Sequence, residues 1–202
     1  MGAYLDKPIE EKNPESGSSK DNTVWWGACS MQGWRCGMED AHIAVEVTDS
    51  GETCILFGVF DGHGGKEVAM FAEERFKNIL VSNADFKKKE YEKALTESFR
   101  AFDAEVKTKD YANDTGTTSC VVLLTPTQII CANSGDSRGA LLTGTSTYGL
   151  SEDHKPDNDE EKNRIESAKH FVEDSRVDGN LALSRAFGDF QYKDQPNLDW
   201  KD

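Results

Sequence analysis

Four acidic positions stand beside glycines or at the ends of apolar runs, where a carboxylate can be held at a sheet corner: Glu39-Asp40, Asp61, Asp136 and Asp189. Hard divalent cations such as Mg2+ or Mn2+ take oxygen ligands, usually a few carboxylates with backbone carbonyls and waters. Glu39 and Asp61 end consecutive regions of the chain and can converge on one rim. Arg35, whose guanidinium can grip a phosphate in a two-pronged fork, and His63, a candidate general acid, stand close to them in sequence. Each has a plainer reading alone: Asp61 as a turn residue accepting backbone N–H bonds, Arg35 packed on Trp34, His63 as a satisfied surface or core side chain. Together, on adjacent corners, they point to a site for a metal ion and a phosphate.

Such a site needs rigid elements behind it. Cys54 to Phe60 is a short, nearly all-apolar run that reads as a strand buried on both faces, with Asp61 at its tip and Gly62, Gly64 and Gly65 turning the chain. Lys66 to Val81 follows with apolar residues at helical spacing, and Glu90 to about Lys109 carries a second stripe of Tyr91, Leu95, Phe99, Phe102 and Val106. Before the central run, Thr23–Gln32 and Ala41–Val47 alternate as strands, so three strands joined by short turns predict an antiparallel meander. After the helices, Thr117–Leu124 and Gln128–Ala132 read as a hairpin around Thr125-Pro126, then short strands at Ala140–Leu142 and Tyr148–Leu150. Asp157-Asn158 with Glu160 and Glu161 supplies an N-cap and a capping-box partner for a helix ending at Ala168. The order predicts a layered α+β domain over residues 23–202, preceded by a flexible, polar lead-in over residues 1–22.

Bulk properties narrow the function classes. A chain of 202 residues with a formal net charge of −14 lacks the basic patch that nucleic-acid binding requires. Five cysteines form no C-x-x-C pair, and three lie in apolar runs, which fits free thiols in a reducing compartment, cytoplasmic or nuclear. No apolar run is long enough to span a membrane. Gly2 after Met1 raises N-myristoylation as the one route to a membrane surface, although Asp6 stands where that pattern wants Ser or Thr.

Cys29-Ser-Met-Gln-Gly-Trp-Arg35 has the C-x5-R spacing of a cysteine phosphatase loop. That chemistry needs a glycine-rich loop opening onto a helix N-terminus to lower the thiol pKa. Here Cys29 falls in an alternating stretch, with bulky Met31 and Trp34 after it.

A set of ordered segments resembles another family more fully: Ser30–His42, Val59-Phe-Asp-Gly-His-Gly-Gly65, Thr115-Gly-Thr-Thr118, Ser134-Gly-Asp-Ser-Arg138, Asp153-His-Lys-Pro156 and Leu181–Asp189 are similar to the type 2C metal-dependent protein phosphatases. The resemblance implies a four-layer α-β-β-α sandwich of two antiparallel sheets flanked by helices, acting on phosphoserine and phosphothreonine in protein substrates. By position, Asp61 would bridge two Mg2+ or Mn2+ ions, Glu39 and the Gly62 carbonyl would complete the ligands of one, and Asp40 would hold its waters. Arg35 would bind the phosphate, His63 would protonate the leaving alcohol, and Asp136 and Thr118 would border a third ion. The family pattern continues past this chain's last residue, where two further aspartates would ligate the second ion. The resemblance therefore implies a domain lacking its C-terminal portion, with one metal site nearly complete and the other left with only the bridging Asp61, and sheet edges open to self-association. A binding module without turnover is the alternative from another functional class.

Overall fold

A computed structural model of the chain describes residues 4–49 and 51–193. In chain order the elements are β1 (Tyr4–Ile9), β2 (Asn13–Ser18), β3 (Trp25–Ser30), β4 (Gly33–Arg35), β5 (Asp40–Asp49), β6 (Glu52–His63), α1 (Glu67–Ser82), α2 (Ala84–Lys87), α3 (Tyr91–Val106), β7 (Gly116–Thr117), β8 (Ser119–Leu124), β9 (Ile129–Ser134), β10 (Ala140–Leu142), β11 (Thr147–Gly149), α4 (Asp159–Ser167), β12 (Val172–Glu173), β13 (Arg176–Val177) and β14 (Phe187–Gly188). The architecture is α+β with antiparallel sheets, as the sequence predicts. Gly2 lies outside the described residues.

The apolar run from Cys54 becomes the centre of a six-stranded sheet ordered β14-β7-β6-β8-β9, with β5 paired along β6. The strand is longer than its apolar core. Asp61 still finds Asp40 opposite it on β5, and Gly62 and His63 find Thr117 and Gly116 on β7. Asp61 therefore sits within a strand and not at its tip. The turn comes later, at Gly64 and Gly65, whose φ values of 68° and 147° disfavour any side chain.

Helices α1 and α3 cover one face of this sheet. Val68, Ala72, Phe76 and Leu80 from α1 and Leu95, Phe102 and Val106 from α3 join Leu56, Phe60, Val121 and Leu123 in one core. Both predicted helical stripes are core packing. Phe187 brings the last strand into the same core, its ring centroid 4.7 Å from that of Phe102 and 5.0 Å from that of Phe99. On the opposite face, ribbon β2–β3 reaches β5 through a Glu15–His42 contact of 3.4 Å, and Gly139, next to β10, sits against the sulfurs of Cys120 and Cys131. Between these two covers Val59 is 51% exposed and Phe57 is half-buried. The central strand is thus not buried on both faces. An unbroken apolar run gives no sign of which face a cover will reach.

Three further expectations change. The meander is only partial, because β5 and β6 form a hairpin while β3 pairs with β2. The lead-in predicted as flexible contains β1 and β2, paired with β4 and β3. Most of their side chains are exposed, so composition is silent; backbone pairing orders them. Glu161 is not a capping partner at the start of α4. No side-chain bond caps that helix, and Glu161 is turned inward and buried.

Candidate active site

Pairing between β5 and β6 assembles the acidic centre. Asp40 stands directly opposite Asp61, and one step on the Gly62 N–H donates to the Glu39 carbonyl (3.2 Å). A methyl group at Gly62 would meet that carbonyl oxygen at 2.4 Å, so glycine is what lets the two backbones close. Carboxylates opposed across an antiparallel pair repel. The Asp61 carboxyl is accordingly pushed above the usual carboxylate range, first by partial burial, then by the charge and hydrogen bonding of Asp40, then by Asp136, while His63 acts in the other direction. None of the ion pairs among the described residues reaches Asp40 or Asp61.

Asp61 is braced through its backbone. Its N–H donates to Thr118 Oγ1 (3.0 Å), the Thr118 N–H donates back to the Asp61 carbonyl (2.9 Å), and Thr118 Oγ1 shares a proton with Ser137 Oγ (2.6 Å). Thr118 is therefore a buried strut between β6 and the loop carrying Asp136, with its hydroxyl engaged by protein groups. Asp136 itself is paired with the Lys155 ammonium. Arg35 is exposed, with Nη2 3.6 Å from Glu39 Oε2. His63 turns Nε2 to Asp189 Oδ2 at 2.6 Å.

The structure thus sets Asp40 opposite Asp61, joins Glu39 to Gly62 through their backbones, and leaves Arg35 exposed near the Glu39 carboxylate, while Asp136 is held by Lys155. Sequence reasoning did not find Lys155 on Asp136, Ser137 on Thr118 or Asp189 on His63. The only hint of the last was an acid after a glycine, 126 residues away. The cysteine loop is not formed. Cys29 lies in β3 opposite Pro14 and Arg35 in β4 opposite Tyr4, with no helix between them.

The carboxylates of Asp40 and Asp61, opposed in register, are oxygen donors of the kind a hard divalent cation takes, whereas the Glu39 carbonyl already accepts from the Gly62 N–H. Among the described residues no three His, Cys, Asp or Glu side chains converge on one point. The fit is to an open site completed by backbone oxygen and water, as Mg2+ prefers, and not to a closed cage.

An antiparallel α+β fold with acidic residues paired across its central hairpin sets the frame in which similar proteins can be compared. The model of the protein phosphatase 2C family matches residues 26–199. Probable protein phosphatase 2C 3 of Paramecium tetraurelia is 44% identical over 211 residues, a match covering 98% of this chain and 69% of that protein. Protein phosphatase 2C homolog 2 of Schizosaccharomyces pombe is 43% identical over 98% of this chain and 55% of its own length. Among solved structures, a phosphatase from Toxoplasma gondii shares the fold with a TM-score of 0.67 at 22% identity, over 97% of this chain and 69% of that one. The chain belongs to the protein phosphatase 2C family and is a protein serine/threonine phosphatase.

Proposed function

We propose that the chain hydrolyses phosphoserine and phosphothreonine in proteins with water as the nucleophile and no phosphoenzyme, at a divalent-cation site built on Glu39, Asp40, Asp61 and the Gly62 carbonyl. The observation that carries this reading is the Asp40–Asp61 pair, two carboxylates held opposite each other in register. Mg2+ or Mn2+, when bound, supplies positive charge against the phosphoryl oxygens and makes water acidic enough to react near neutral pH. Arg35, exposed beside Glu39, grips the incoming phosphate, and a guanidinium fork fits two of its oxygens at once. His63 gives a proton to the departing serine or threonine oxygen, which leaves poorly as an alkoxide. Asp136, paired with Lys155, borders the site and adds to its negative field.

The test is turnover of a phosphothreonine peptide with Mn2+, before and after EDTA and after a thiol alkylator. Loss with EDTA and persistence after alkylation is the expected result. Turnover that survives chelation overturns the metal-based reading. Peptide binding with no release of phosphate, in every divalent cation tried, favours a phosphoprotein-binding module instead.

A further inference from the structure

Strands β8 and β9 each carry a cysteine on the same face of the sheet, and the two sulfurs meet. Asn133 stands opposite Cys120 and Val122 opposite Cys131, so the cysteines are diagonal neighbours across the strand pair. Their Sγ atoms lie 4.0 Å apart, Cys120 buried and Cys131 half-buried. Gly139, just before β10, faces both. A methyl group there would stand 3.3 Å from Cys131 Sγ and 3.4 Å from Cys120 Sγ, with Leu150 Cβ next at 3.5 Å. That spot is tight for carbon against sulfur, yet beyond the roughly 2.3 Å of a metal–thiolate bond, so an ion bonded to both sulfurs fits short of it. The backbone on that side is pinned: the Gly139 N–H donates to Ser151 Oγ (2.9 Å), and its carbonyl accepts from the Leu150 N–H (2.9 Å).

We infer that Cys120 and Cys131 form a two-sulfur site for one soft, low-coordinate cation of the Cu(I) kind. A disulfide fits the pair less well. Diagonal neighbours in an antiparallel sheet have α-carbons about 7–8 Å apart, beyond the roughly 6.8 Å that an S–S bond accepts without backbone movement. An ion between the sulfurs closes that gap. Two thiolates about 2.3 Å from one ion stand roughly 3.8 Å apart at a tetrahedral angle and about 4.6 Å apart when linear. The observed 4.0 Å falls between these limits. Ligand number then selects the ion. Zinc wants four ligands, whereas among the described residues no third His, Cys, Asp or Glu converges with another two. Soft sulfur donors select Cu(I), while the hard oxygens of Asp40 and Asp61 suit Mg2+ or Mn2+, so the two sites do not share an ion. On binding, each thiol gives its proton to solvent as its sulfur bonds the ion, and no electron is transferred. The half-buried side of Cys131 leaves the resulting negative charge in touch with water.

The test titrates the reduced, metal-free 202-residue chain with Cu(I) under anaerobic conditions, in competition with bathocuproine disulfonate. The chain is expected to withdraw one ion from the chelator, equally well with millimolar Mn2+ present. X-ray absorption of that complex is expected to show two sulfur neighbours and no nitrogen or oxygen. No withdrawal, competition by Mn2+, or a third ligand overturns the inference. Cys131→Ser, at the half-buried position, is expected to weaken Cu(I) binding at least about 100-fold, because one thiolate no longer presents the ion to the other. A variant with Cys29→Ser and Cys36→Ser, which removes the two exposed thiols, is expected to bind as the wild type does. Loss in that variant with retention in Cys131→Ser places the ion elsewhere. Mass mapping of iodoacetamide labelling needs no variant, and so decides the matter even where Cys131→Ser fails to fold. One equivalent of Cu(I) is expected to slow labelling of Cys131 at least about tenfold while Cys29 and Cys36 react as before. Protection of the exposed pair, or none at Cys131, counts against the site.

Discussion

Asp61 is placed by its register against Asp40, and two carboxylates held that close repel. Asp61→Asn removes the repulsion and the charge together. The metal-free variant is expected to be as stable as the wild type or up to about 1 kcal/mol more so, the modest scale of charge interactions within reach of water. The wild type is expected to gain several degrees in melting temperature with millimolar Mn2+ and the variant little, along with loss of turnover. Thermal melts with and without Mn2+ check both points, and an equal Mn2+ shift in the two proteins would place the cation elsewhere. The residue types were legible in the sequence because carboxylates beside glycines stand out. The Lys155 partner of Asp136 was not, since nothing in a linear chain marks which cation will face which anion.

At the scale of elements, the hairpin β5–β6 determines whether the acids meet at all. Gly62→Ala tests this, since its new methyl would press on the Glu39 carbonyl and must push the strands apart. A loss of about 1–3 kcal/mol is expected, the usual cost of forcing a group into packed space, with a larger proportional loss of Mn2+ binding than of stability. Denaturant melts and calorimetric Mn2+ titration give the two quantities. The second element-scale device is α4. Glu161 accepts from Arg185 Nη2 (2.6 Å), Arg164 Nη2 (2.9 Å) and Ser184 Oγ (2.6 Å), fastening the helix to the segment that leads into β14 and Asp189. The 3.6-residue period predicted the helix, but a capping role for Glu161 was the wrong reading. Local rules assign a first-turn acid to the backbone, whereas Arg164 one turn along the helix and Arg185 brought in by the fold compete for it and win.

Over the whole molecule, the Glu161 cluster sets how stability responds to acid. Burial pushes the Glu161 carboxyl upward, but hydrogen bonds from Arg185, Ser184 and Arg164 outweigh it and hold the pKa at about 2. A carboxyl depressed in the folded state stabilises above its unfolded value near 4.5, and that contribution is lost as pH falls from there toward about 2. Glu161→Gln leaves the half-buried guanidinium groups of Arg164 and Arg185 without their anion and is expected to cost about 3 kcal/mol at pH 7. It should also flatten the decline in stability between pH 5 and pH 3, and a decline as steep as that of the wild type would assign acid sensitivity to other groups. Phe102→Ala examines the core that unites both helices with β14. A loss of about 3–5 kcal/mol is expected by chemical denaturation, with His63 and Asp189 loosened because Phe187 packs on the deleted ring.

The sequence by itself determined the three longer helices, the central strand and the roster of acids, because hydrophobic period and glycine placement are local properties that survive in one dimension. It also determined membership of a phosphatase family through motifs lying in order along the chain. Only the tertiary structure decided that Asp40 faces Asp61, that β1 and β2 are strands, that one face of β6 stays partly open, and that His63 leans on Asp189. Those outcomes depend on register and on long-range pairing, in which a shift of one residue reverses every side chain, and no local preference carries that information.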